Sequence, residues 1–213
     1  MLRDAVLWIA EHPGLFLKAV DTHLKLSGAA LAIAAALALP LGLALGRFPR
    51  AAFAAINAAG ALRSVPSLAI LALALPFLGI GFAPSLVALV ILAVPPILIN
   101  AVVGTREVDA DVVDAARGMG MTALEIALRI EMPLAAPVMF AGLRTAAVQV
   151  IAGATLATFI GGGGLGDFIA TGIAIMDFSR LLVGAVPIAL LAMATELGLS
   201  GVERRLFGER RAG

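Results

Sequence analysis

The sequence predicts an all-α integral membrane protein with five spanning helices, and three observations carry that reading. Of the 213 residues, 62% are hydrophobic and only 14% charged, with a mean hydropathy of +1.07. A soluble domain has about 25% charged and 45–50% apolar residues, and a single core of this size has too much boundary to hide the excess from water. The apolar residues also fall into charge-poor runs of bilayer length, with the charges gathered between them. The formal net charge of +1 gives no ground for a nucleic-acid partner. Lipid is the solvent that fits.

A hydrocarbon core takes about 20 mostly apolar helical residues. Residues 1–25 read as an N-terminal lead-in, with Arg3 to Lys18 short and amphipathic or poorly ordered. The run Ala5 to Ala10 is too short for a cleaved signal peptide and is broken by Glu11, His12 and Pro13. The first span is expected from Leu26 to Gly46, stopped by Arg47-Phe48-Pro49-Arg50. Ala51 to Leu62 is apolar but too short to cross, so it reads as an interfacial or partly inserted helix. After the break Arg63-Ser64-Val65-Pro66, a second span runs from Pro66 to Phe82 and a third from Pro84 to Gly104, kinked near Pro95-Pro96.

Thr105 to Glu131 is the one long polar stretch, and its charges place it in water or against another protein. The fourth span runs from Leu134 to Ile160, followed by a glycine-rich loop from Gly161 to Asp167. Phe168 to Asp177 is a short apolar piece of re-entrant character. The fifth span covers Leu181 to Val202 and ends at Glu203-Arg204-Arg205. The organisation is thus a transmembrane domain at 26–205, with its connector at 105–133, and a cytoplasmic tail at 206–213.

Orientation follows from Lys and Arg near the spans. One side holds Arg47, Arg50, Arg63, Arg106, Arg117, Arg129, Arg204, Arg205, Arg210 and Arg211; the other holds Arg3, Lys18, Lys25 and Arg180. The richer side is expected to be cytoplasmic. That puts the N-terminus outside, the C-terminus inside and the polar connector in the cytoplasm, in a multi-pass inner-membrane chain.

Few side chains inside the spans carry chemistry. Arg144 and Glu196 are charged within apolar runs, where an unpaired charge costs about 2.5–3.5 kcal/mol at the bilayer centre. They either pair with one another or line a pathway. Thr145 and Gln149 are four apart and share a helix face, a candidate polar stripe with Thr155 and Thr158. Gly161, Gly162, Gly163, Gly164 and Gly166 satisfy a dinucleotide-fold spacing, but a membrane helix precedes them where a strand is required. They read as a tight external turn or an external gate loop. His12, His23 and the absence of cysteine leave no metal cluster and no thiolate or serine-hydrolase set, so no catalytic residue and no metal site are expected. No internal repeat is visible.

The connector is the informative segment. Ala115, Ala116, Met119 and Ala123 make a small apolar face bordered by charge, while Gly118 and Gly120 allow a sharp turn. Such a helix suits docking into a partner's groove; a solvated linker is the other reading. Asp114, Ala115, Ala116, Gly120, Ile130 and Pro133 stand at the spacing of the EAA loop of binding-protein-dependent ABC importer permeases, with Asp114 for the usual Glu and Met132 for the usual Leu. The chain resembles that family from about Leu26 to Arg205. Arg63 to Leu68, Val112 to Thr122, Gly142 to Gln149 and Gly161 to Phe168 resemble its osmoprotectant branch, which imports glycine betaine, carnitine and choline. Methionine-type permeases are also similar.

The resemblance implies a type I importer fold of the methionine-permease kind and a set of partners: an ABC ATPase, a second permease subunit, and an external solute-binding protein. It implies that Asp114, Ala115, Ala116, Arg117, Gly118, Met119, Gly120 and Met121 couple to the ATPase. ATP and magnesium would sit on that partner, this chain binding no cofactor. An ion-coupled carrier and a membrane enzyme are the rival classes. The first wants intramembrane acids and the second a catalytic set.

Overall fold

Within a bilayer no water satisfies backbone N–H and C=O groups, so an apolar run must close its own hydrogen bonds as a helix. In the computed structural model, which describes residues 1–208, every regular element is helical. They are α1 (Leu2–Glu11), α2 (Pro13–Gly46), α3 (Pro49–Ser64), α4 (Ser67–Leu78), α5 (Phe82–Arg106), α6 (Ala110–Gly118) and α7 (Ala123–Ile126). A π-helical turn (Ala127–Glu131) leads into α8 (Met132–Ala154), a 3-10 turn (Thr155–Ile160), α9 (Gly166–Ala174) and α10 (Phe178–Phe207). Among the described residues α2, α5, Ala123–Ile160 and α10 are long and apolar enough to cross a membrane, and α3 with α4 makes a fifth candidate bent by 91°.

The core is a seam of small residues. On α2 the buried positions Leu26, Ala30, Ala34, Ala38, Gly42 and Gly46 recur every four residues. On α5, Ser85, Leu89, Ala93, Ile97, Ala101 and Thr105 do the same. Four-residue rows pack into one another, and small side chains let the backbones approach. A Cβ on Gly46 would sit 2.7 Å from the Thr105 Cβ. The Ala/Gly-rich first span therefore packs inside its own chain. α8 packs against both α5 and α2, and Gly142 leaves no room beside Asn100.

Several boundaries differ from expectation, each for a local reason. α2 begins at Pro13 rather than Leu26, since proline fits the first helical position, whose N–H has no partner anyway. Its polar extension carries the exposed pair Asp21–Lys25 at 2.7 Å. The lead-in folds as α1 against α10, with Ala5 buried and Trp8 set edge-on to Phe168 at 5.2 Å. At the far end α10 continues through Glu203-Arg204-Arg205 to Phe207, because Glu203 turns inward to Arg144. Arg210 and Arg211 lie outside the described residues.

The largest correction concerns the second span. Pro66 to Phe82 yields only α4, twelve residues or about 18 Å at 1.5 Å per residue, too short to cross alone. Gly79 (φ 73°) and Gly81 (φ 126°) end it. The preceding break is sharp because Pro66 excludes the helical conformation at Val65, which is extended (φ −74°, ψ 127°). Arg63 to Ser67 then line a cavity with Ile91, Leu92 and Pro95, about 14–22 Å from the ends of α5. Arg63 is thus level with the middle of α5 rather than with its connector end.

The polar connector is also shorter than expected. From Ala123 onward the chain is already in the long helix that becomes α8, and the glycine loop gives way to α9 at Gly166.

Candidate coupling and translocation site

The projecting helix is built from its caps. Asp109 starts α6 by accepting the Asp111 N–H at 2.9 Å, supplying one of the partners that a first turn lacks. Asp114 and Arg117 pair along the exposed surface at 2.9 Å, a contact of little energy but consistent register. Ala116 is buried against the connector, whereas Ala115, Gly118, Met119 and Gly120 face outward, Met119 being 74% exposed. Gly120 (φ 80°) turns the chain, and the Met121 N–H donates to the Ala116 carbonyl at 3.2 Å. Thr122 and Glu125 form a capping box that restarts the helix. The expected apolar face is therefore divided: Ala116 packs inward, and the small residues around Met119 make a free, knob-like outer surface.

This knob is tied to the core at one point. Arg47, just past α2, donates from Nε to Glu131 at 2.9 Å and from Nη2 to the Ala123 carbonyl at 3.0 Å. Glu131 is 6% exposed. Charge-assisted bonds of this kind are about twice as strong as neutral ones. They clamp the end of α2 to both ends of the α7–π-turn segment. Neither residue's role was legible in sequence, where Arg47 read as a span terminator and Glu131 as one more connector charge.

Inside the helices the four polar residues part company. Arg144 Nε lies 3.3 Å from Glu196, and its Nη1 lies 2.5 Å from Glu203, joining α8 to α10. Glu203 was missed, although its spacing of two helical turns from Glu196 puts both on one face. Thr145 is exposed and donates back to the Ala141 carbonyl at 3.0 Å. Gln149 lines a cavity of about 280 Å³ together with Arg63, Ser64, Ser67 and Pro95. It also lines one of about 460 Å³ with Gly153, Thr155 and Leu156. Ser67, Leu92 and Gln149 border both cavities. Together they form a track from the α3–α4 break toward the glycine loop. Thr158 leaves it by donating its hydroxyl to Asp167.

The glycine loop is a packed junction. Gly162, Gly164 and Gly166 are buried, while Gly161 is exposed and Gly163 half-buried. A side chain at Gly166 would strike the Thr155 carbonyl, and at Gly164 (φ 101°) it would meet His23. The Gly81 N–H donates to the Ile160 carbonyl at 2.7 Å, which fastens the end of the α3–α4 pair to this same junction.

The molecule is thus a multi-helix membrane core that presents a capped, anchored helix between two of its spans. The chain belongs to the family described as the binding-protein-dependent transport system inner membrane component, which it matches over residues 28–208. It is 45% identical to the carnitine transport permease protein OpuCB of Listeria monocytogenes, over 86% of this chain and 84% of that one. It is 39% identical to the choline transport system permease protein OpuBB of Bacillus subtilis (strain 168), over 96% and 94% of the two chains. Among solved structures it is similar to a chain of the inward-facing MetNI methionine ABC transporter (TM-score 0.81, 20% identity, 90% and 96% covered). A chain of an amino acid ABC transporter is likewise similar (TM-score 0.75, 20% identity, 93% and 97% covered). These two likenesses establish the fold.

Proposed function

We propose that this chain is the permease subunit of an ATP-driven importer for a small osmoprotectant such as glycine betaine, carnitine or choline. The observation that carries the solute class is the near full-length similarity to a carnitine permease and a choline permease. The likeness to the methionine transporter, at 20% identity, argues for fold and not for cargo. An ion-coupled carrier is disfavoured because Glu196, the acid it would use, is paired with Arg144.

In this reading the N-terminus is outside and the C-terminus cytoplasmic. A solute-binding protein delivers its cargo at the glycine-loop end, near Gly161 to Gly166, and a second permease subunit completes the path. The surface from Asp114 to Met121 docks into an ABC ATPase, which carries ATP, magnesium and the hydrolytic chemistry. Closure of the ATPase moves α6. The Arg47 clamp passes that displacement to α2, and the continuous helix from Ala123 passes it to α8. The equilibrium between permease states then shifts because this contact is more favourable in one state than in the other. The track at Gln149 and Ser67 is the solute's route.

The test is uptake by proteoliposomes holding this chain with its second permease subunit, its ATPase and its binding protein. ATP-dependent accumulation of radiolabelled glycine betaine, carnitine or choline is expected. Accumulation driven by an ion gradient with no ATPase present would replace the reading with a secondary carrier. Ala115→Arg and Gly120→Trp are expected to abolish uptake at unchanged membrane abundance, and surviving uptake would remove the docking role of α6.

A further inference from the structure

Arg63 is an exposed, charged side chain with no ion-pair partner among the described residues, level with the middle of α5, on the lining of a 280 Å³ cavity. Arg144, the arginine within α8, by contrast holds two carboxylates. An unpaired cation there is costly unless water or an anion meets it. Ser64, Ser67 and Gln149 line the same cavity as its other polar residues. Its volume is near the lower end of small-molecule sites, about 300 Å³.

The helix break adds a second attraction of the same sign. α4 starts at Ser67 with Pro66 as its cap residue and no side-chain cap, so the first N–H groups have no acceptor from a capping side chain. The helix is twelve residues long, and its positive dipole end faces the same cavity. Interrupted helices at membrane mid-depth place such ends on the anionic groups of cargo.

We propose that the cavity at the α3–α4 break is a transient carboxylate station, in which Arg63 receives the anionic end of a zwitterionic solute, assisted by Ser67 and the amino end of α4. The inference rests on the osmoprotectant reading and deepens it: it divides that solute class by chemistry. Glycine betaine and carnitine carry a carboxylate, and choline carries none. Arg63 therefore serves the former and is dispensable for the latter. The guanidinium matches a carboxylate with two parallel donors, which a lysine only partly reproduces.

The experiment compares wild type, Arg63→Gln and Arg63→Lys in the complete reconstituted complex. Uptake of glycine betaine and of choline is measured beside binding-protein-stimulated ATP hydrolysis. For Arg63→Gln we expect glycine betaine uptake to fall at least about ten-fold, the scale of one lost charge-assisted hydrogen bond. Choline uptake should stay within about two-fold, ATP hydrolysis should persist, and Arg63→Lys should recover part of the glycine betaine flux. Equal loss of both solutes, loss of stimulated hydrolysis, or unchanged glycine betaine uptake would each overturn the station. Where the wild-type complex carries choline poorly, the Lys recovery and the retained hydrolysis decide the matter alone. A wild-type complex that moves neither solute would instead sink the osmoprotectant reading itself.

Discussion

Arg47 ties together parts of the molecule that the sequence keeps far apart. Its guanidinium joins the end of α2, a buried carboxylate and a backbone carbonyl of the segment behind α6. Replacing it leaves the outer face of Ala115 and Met119 untouched but removes the clamp. We therefore expect Arg47→Gln to bind the partner ATPase with affinity within about two-fold of wild type while uptake falls at least about ten-fold. Co-purification and vesicle uptake, measured side by side, check this; equal losses in both would make Arg47 part of the docking surface. At the opposite end Gly166 touches the Thr155 carbonyl. Gly166→Leu should cost about 1–3 kcal/mol through overpacking, read as a lowered melting temperature of the detergent-solubilised chain.

At the scale of elements, α10 is held to α8 by the Arg144 cluster, with Glu203 12% exposed and Glu196 46%. Removing the arginine takes from Glu203, 12% exposed, the charge partner it has on α8. Arg144→Leu should destabilise the chain by about 2–3 kcal/mol, somewhat below the 3–5 of a fully buried pair. The double change with Glu203→Leu should recover at least half of that loss. A double-mutant cycle on thermal stability measures the coupling, and simple additivity would show that the two residues act independently. The bent pair α3 and α4 is the other decisive element. Proline chemistry made the break at Arg63 to Pro66 legible. The placement of that break was not, because nothing local says that the short helix before it packs along α5.

For the whole molecule, the chain has no cysteine, so single cysteines report accessibility without background. In intact right-side-out cells a membrane-impermeant maleimide should label Lys18→Cys, and Arg106→Cys should react only after permeabilisation. The reverse pattern would invert the proposed topology. Ser67→Cys should react when the track is open to one side, while Leu37→Cys, 56% exposed on the outer face of α2, should stay unlabelled against lipid. Labelling of Leu37→Cys at the rate of Ser67→Cys would mean that α2 faces an aqueous route instead.

What the residues alone determined is the class of structure and the position of the projecting helix between the spans. Bilayer thickness forces long apolar runs into helices, and caps, glycines and charge in the connector act over a few neighbours, so both are written locally. Only the tertiary structure decided which charges meet and which residues share a cavity. Arg47 meets Glu131 and Arg144 meets Glu203 across helices packed side by side, while Arg63 and Gln149 come to line one cavity. Ion pairs between residues 59 and 84 positions apart depend on how small-residue faces interlock, which no local pattern encodes.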